Sequence, residues 1–217
     1  MDERKNKILS GFRLCILLFI AVILAGSSFY YFYWLKTPQY TVGLIADAIK
    51  KHDIETFDKY VDTDSILNKA YDDYFYVYFS KDPFMQKNPV RNLAEGLIKL
   101  AKPMAVNEMK AEVDSYIKSG EWKSSSNEES SGEYSVSKNN SDITEKLSVG
   151  NIKFKRIKYT KVDGNKAVVG IETDKDEKTE NTVIEISMEK QDDDTWRVVS
   201  IYNMKEYAEK IIRQKSE

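Results

Sequence analysis

The chain has 217 residues, with 33 Lys+Arg against 35 Asp+Glu and a formal net charge of −2. Nothing in that balance supplies the basic field that nucleic acid requires, so nucleic acid is not an expected partner. One histidine and one cysteine leave no intrachain disulfide and make a conventional zinc site a poor expectation.

The first element is the uncharged run from Leu14 to Leu35, LCILLFIAVILAGSSFYYFYWL. At about 22 residues it matches the length that an α-helix needs to cross a hydrocarbon core of about 30 Å. A buried core helix would be shorter and polar on one side. A cleaved signal peptide would use Ala25, Gly26, Ser27 and Ser28 as its cut site. The run continues past them into Phe29-Tyr30-Tyr31-Phe32-Tyr33-Trp34, rings suited to a headgroup boundary. The reading taken is therefore an uncleaved signal anchor over 14–35, with the lipid bilayer as its partner. Arg4, Lys5, Lys7 and Arg13 place residues 1–13 in the cytoplasm as a short tail, and so place 38–217 outside the membrane.

Residues 38–217 are long enough for one ordinary domain. Pro38 ends the anchor, and Thr41 is expected to cap a helix to about His52, with Leu44, Ile45, Ala48 and Ile49 as its stripe. Asp53 caps a second helix, Ile54 to Val61. Asp62-Thr63-Asp64 opens a third, in which Ile66, Leu67, Ala70, Tyr71, Tyr74, Phe75, Tyr78 and Phe79 recur at helical spacing. A wide aromatic core face explains those rings better than a stacking platform for sugars or bases. Asp82-Pro83 and Asn88-Pro89 bracket a loop. Two helices follow, Val90 to Lys102 with Leu93, Leu97, Ile98 and Ala101 as its stripe, and Pro103 to Lys118 with Met109, Val113, Tyr116 and Ile117. Gly120 is the stop.

Residues 123–142, KSSSNEESSGEYSVSKNNSD, hold too few apolar side chains to offset ordering entropy and read as a flexible Ser-rich insertion. Four strands complete the chain: Ile152 to Val162, Lys166 to Thr173, Thr182 to Lys190 and Trp196 to Asn203. Asp163-Gly164-Asn165 is a hairpin turn, Lys175 to Asn181 a longer charged tip, and Gln191 to Asp194 another turn. Ile184, Ile186 and Met188 alternate with Glu185, Ser187 and Glu189, one face inward and one in water. Asn203 is expected to cap a last helix through Tyr207, Ala208, Ile211 and Ile212.

Helices followed by consecutive strands define an α+β domain with a four-stranded antiparallel sheet. The expected packing is a curved sheet wrapping the helices, whose aromatic face fills its concave side. This order resembles the cone-shaped fold of nuclear transport factor 2-like and cystatin-like domains. Thr37-Pro38-Gln39-Tyr40, Ala48-Ile49-Lys50-Lys51-His52-Asp53, Thr56-Phe57-Asp58-Lys59-Tyr60-Val61-Asp62 and Tyr71-Asp72-Asp73, with the anchor before them, resemble a bacterial membrane-anchored family of unknown function. That resemblance implies fold and location but no catalytic residue.

Chemistry must therefore stand on individual residues. His52, beside Asp53 and near Asp58, has the types a general base and its orienting acid need. At a helix carboxyl end it equally serves as a favourable polar group, and that reading is preferred. Asp62 and Asp64 look like caps; Asp72 and Asp73 diverge on a helix. Asp192-Asp193-Asp194 lacks calcium-loop spacing. There is no glycine-rich phosphate loop and no nucleophile elbow. No catalytic, cofactor-binding or metal residue is assigned. The expectation is an extracytoplasmic, non-enzymatic binding or interaction module at the cell envelope, meeting other envelope proteins or a small ligand. The alternative is a small-molecule enzyme using a cone-shaped pocket with His52 or an Asp as base.

Overall fold

The computed structural model describes residues 2–81, 83–121, 154–173 and 183–214, with side chains left undescribed at 2–14, 83, 84, 154 and 214. The Ser-rich insertion at 123–142 and the charged tip at 175–181 lie outside the described residues. Among those described are seven α-helices, one 3-10 turn and a four-stranded antiparallel sheet: an α+β chain.

Helix α1, Asp2–Phe32, is a single element that begins ahead of the uncharged run. With the turn after it, it makes up the one stretch among the described residues long and apolar enough to cross a membrane, Cys15–Lys36, none of whose side chains is fully buried. A 3-10 turn, Trp34–Lys36, joins it to α2, Pro38–Lys51. The cap of α2 is Thr37, not Thr41: its hydroxyl accepts the Tyr40 N–H at 3.2 Å. Pro38 then occupies the first helical position, where its missing N–H costs nothing. Thr41 lies inside α2, almost wholly buried.

Helix α3, Ile54–Tyr60, is capped by Asp53, which accepts the Thr56 N–H at 3.0 Å. Helix α4, Thr63–Lys81, starts at Asp62, whose carboxylate accepts the Ser65 N–H at 3.0 Å. Pro83–Lys87 forms a short helix, α5, where a loop was expected; proline again suits a first turn.

Helix α6, Arg91–Ser119, runs unbroken through Pro103. Two helices were expected because an internal proline removes a backbone hydrogen bond and crowds the preceding turn, at about 3 kcal/mol. Packing outweighs that cost. Ile98 before the proline and Ala105, Val106 and Met109 after it all pack into one cluster around Tyr71 of α4, and the Tyr71 hydroxyl donates to the Ile98 carbonyl at 2.8 Å. Leu93 and Leu97, expected in the buried stripe, are exposed.

The strands are β1 Phe154–Asp163, β2 Lys166–Thr173, β3 Val183–Lys190 and β4 Trp196–Ile201, in sequential order. Asp163 pairs with Lys166 across a two-residue turn, and Gly164 supplies the positive φ of 56° that a tight hairpin demands. Val61 forms a short parallel bridge with Val198, and the Asp62 N–H donates to the Val198 carbonyl at 2.8 Å, so the exposed edge of β4 is part-covered.

The sheet's inner face, Ala167, Val169, Met188, Trp196 and Val198, packs on Val42 of α2, with Ile45 and Ile66 beside it. The α4 rings do not fill that face. Tyr74 and Val77 pack instead on Met204, Ala208 and Ile212 of the last helix, α7, Met204–Gln214, while Tyr71 turns to α6. Position along α4 decides this: Ile66 near its start meets the sheet cluster, while Tyr74, Phe75 and Tyr78, about two to three turns later, gather with α7 and with Ile201 at the end of β4. Asn203 precedes α7, but its carboxamide serves β3, accepting the Glu185 N–H at 2.9 Å and donating to the Val183 carbonyl at 2.8 Å.

Candidate functional site: the junction of apolar helix and sheet

The place where the chain's two characters meet is also where its long-range polar contacts converge. Backbone hydrogen bonds step from α1 through the 3-10 turn to α2 (Tyr33 N–H to Phe29, Lys36 N–H to Tyr33, Thr37 N–H to Trp34 and Thr41 N–H to Thr37), and Thr37, extended at φ −97° and ψ 150°, marks the break between the two helices. The carbonyl of Lys36 accepts from the Trp196 indole N–H at 2.9 Å, and Trp196 is itself buried at the start of β4. The Lys36 ammonium reaches Asp194 at 2.7 Å, and Lys190 reaches the other oxygen of the same carboxylate at 2.7 Å.

Asp194 holds this position because the β3–β4 turn places it at φ 65°, a left-handed conformation that Asp tolerates better than most residues. Asp193 fixes the turn by accepting the Thr195 N–H at 3.0 Å. Lys190 first, then Lys36, hold the Asp194 carboxyl down at about 2. The junction thus joins three segments (α1's exit, the end of β3 and the turn into β4) through one anion and one indole. On the other side stands the aromatic end of α1, with Phe29 stacked on Tyr33 at 5.2 Å between centroids and Tyr31 edge-on to Phe32. Small residues Gly26, Ser27 and Ser28 leave a notch there beside Tyr30 and Tyr31, lined by α1 and the turn alone.

His52 is not part of any such gathering. It closes α2 in the left-handed region, φ 59°, with its own N–H on Ile49 and the Asp53 N–H on Ala48, the paired bonds of a Schellman ending. Its Nδ1–H donates to the Ile117 carbonyl of α6 at 2.9 Å. The ring lies against Gly120, where an added Cβ would fall 2.7 Å from the ring carbon. Two helix carboxyl ends are therefore locked by one imidazole. Asp53 is a cap, and the Thr56 hydroxyl holds its carboxyl below the usual range.

The acidic residues are equally dispersed. Asp72 pairs with Lys102 at 2.8 Å, Asp64 with Lys110, and Asp62 lies 4.0 Å from Arg197. Asp73, buried on α4, takes Lys69 at 2.6 Å and Lys205 of α7 at 3.6 Å. Among the described residues no group of three His, Cys, Asp or Glu converges as a metal site would need. Tyr71, Tyr74, Phe75, Tyr78 and Phe79 pack ring on ring along α4.

On the sheet's outer face, Tyr159 lies flat over Gly170 and its hydroxyl donates to Glu185, which pushes the phenol up to about 12. Glu172 beside it is bound by Arg156 at 2.7 Å and Lys155 at 3.1 Å. Sequence reasoning did not find the Lys36–Asp194–Lys190 cluster or the Tyr159–Glu185 pair. Asp194 was legible only as a turn residue, and its partner Lys36 stands 158 positions away. Compared with known proteins, the chain matches no family model, no curated protein and no solved structure.

Proposed function

We propose that the chain is a single-pass membrane protein, its amino terminus cytoplasmic, whose domain is a non-enzymatic binding or interaction module at the outer face of the cell membrane. The observation that carries this reading is the contrast at the junction. Among the described residues nothing buries the apolar helix from Cys15 to Phe32, yet the exit that follows it is fastened to the sheet by Trp196 and Asp194. A helix bare along its length calls for lipid as solvent. A fastened exit holds the domain at the membrane surface in a set attitude, which suits a module that meets other envelope components, proteins or a small ligand.

Two further features support the reading. Basic residues lie ahead of the uncharged run and aromatic rings at its far end, the arrangement of an inward amino end. His52 and the acidic residues that an enzyme would use are taken up by helix ends and ion pairs. The proposal includes a cone-like domain of the nuclear transport factor 2-like kind and kinship with the bacterial membrane-anchored family of unknown function. Register shifts in β1 at Phe154/Arg156 and Ile157/Tyr159, and at Ser187/Met188 facing β4, are the irregularities that bend a sheet.

The test is extraction and protease access in cells. Alkaline carbonate should leave the full chain in the membrane, and protease added outside intact protoplasts should remove the domain. Release by carbonate sinks the anchor; a domain protected until the cells are lysed sinks the orientation.

A further inference from the structure

The amino-terminal half of α6, with Val90 just before it, has a second apolar face that no described residue buries. Val90, Leu93, Leu97, Leu100 and Met104 are spaced three, four, three and four apart and are 53%, 64%, 58%, 79% and 63% exposed. Ile98, Ala105, Val106 and Met109, on the opposite side, hold the helix to α4. A three–four alternation of apolar residues is the seam of a coiled coil. Helices bound to the domain by one face have no structural need for it.

We propose that this seam is the contact surface for a second copy of the chain, joined helix to helix through α6. Three observations favour that occupant. The positions flanking the seam are Ala94, Gly96, Ala101 and Pro103, without a charge among them. A helix resting on lipid headgroups carries Lys or Arg along its apolar border, whereas small neutral flanks let two backbones approach.

Gly96 is the second observation. Among the described residues a Cβ there would meet nothing within 4 Å, so no contact among them explains a glycine that costs about 1 kcal/mol against alanine in mid-helix. The backbone of a partner helix would explain it.

The third is area. Five side chains this exposed present on the order of 500 Å², near the top of what a monomer leaves bare. A symmetric pair would bury about 1,000 Å² in all, the threshold of a specific interface. Such an interface is weak alone, and confinement of copies to one bilayer raises their effective concentration. That last step rests on the anchor reading; the seam itself does not.

The test uses the full chain, Cys15→Ala, in phosphatidylcholine vesicles at low protein density. Leu97→Cys should cross-link on mild oxidation to twice the monomer mass, roughly tenfold more than a control Asp163→Cys on the β1–β2 turn. Adding Leu93→Glu and Leu100→Glu should abolish the cross-linked band while thermal melting is retained, because both side chains are exposed. Equal cross-linking of Leu97→Cys and Asp163→Cys overturns the proposal, as does a band that survives both glutamates. So does a monomeric Leu97→Cys thiol that reacts with a lipid-phase reagent and not an aqueous one, which assigns the face to the bilayer. Carbonate extraction of the same vesicles scores the anchor separately, since a chain can be retained in lipid and still be monomeric.

Discussion

His52 occupies a backbone conformation that favours glycine, φ 59°, and that choice is informative. Glycine would close α2 without strain but would have no ring to reach Ile117. His52→Ala keeps the strain and loses the bond, and should cost about 1–2 kcal/mol of stability. His52→Gly should cost less, since it relieves the backbone while losing the same bond; chemical denaturation compares the two. Asp194 makes a second residue-scale prediction. Its folded pKa of about 2 lies below the ordinary 3.8, so its contribution is complete above about pH 4 and is lost as pH falls through 2. The carboxyl resonance of Asp194 should titrate near 2, and Lys190→Ala should raise that midpoint. The sign is opposite for Tyr159, pushed up to about 12, whose bond to Glu185 holds at neutral pH and fails only as the phenol ionises.

At the scale of elements, local chemistry was readable and long-range choice was not. Asp53 with Thr56, Gly164 in its turn and Gly120 at the end of α6 each act on neighbours, so a sequence shows them. The four strands were legible for the same reason, since alternation such as Ile184-Glu185-Ile186-Ser187 is a local signal. Pro103 shows the limit: local rules end a helix there, but tertiary packing of Ile98 and Val106 on the same side of α4 carries α6 through. Helical periodicity also could not say which of two apolar faces of α6 would meet the domain, and it assigned Leu93 and Leu97 to the wrong one. Gly170 offers the element-scale prediction. An added methyl would lie 2.6 Å from the Tyr159 ring, which its hydroxyl bond holds in place. Gly170→Ala should destabilise the sheet by about 1–3 kcal/mol, and Tyr159→Ala in the same chain should recover part of that. A double-mutant cycle in denaturant measures the coupling.

For the whole molecule, the junction decides how the domain stands on its helix. Trp196→Phe removes the indole bond to Lys36 and keeps most of the buried ring, and Asp194→Asn weakens both lysine contacts. Together they should broaden the distance distribution between spin labels at Ile20 and Asp163 in a Cys15→Ala chain. They should lower Tm by only a few degrees, since the inner face of the sheet is untouched. An unchanged distribution would show that the junction contacts do not set the domain's attitude. The candidate site was illegible for a plain reason: it is built from residues at opposite ends of the sequence, and neither Lys36 nor Asp194 belongs to a motif.

The double fastening of Lys36, by its carbonyl to Trp196 and by its ammonium to Asp194, has one more effect. A helix turns about 100° with each residue, and with its exit fastened to the sheet at Lys36 that rotation passes into the domain. Inserting a single alanine after Val22 would turn the domain about the axis of α1 by roughly that angle while lengthening the helix by only about 1.5 Å. The compass bearing of the sheet, and with it the direction in which the α6 seam faces sideways, is therefore written into the length of the apolar helix.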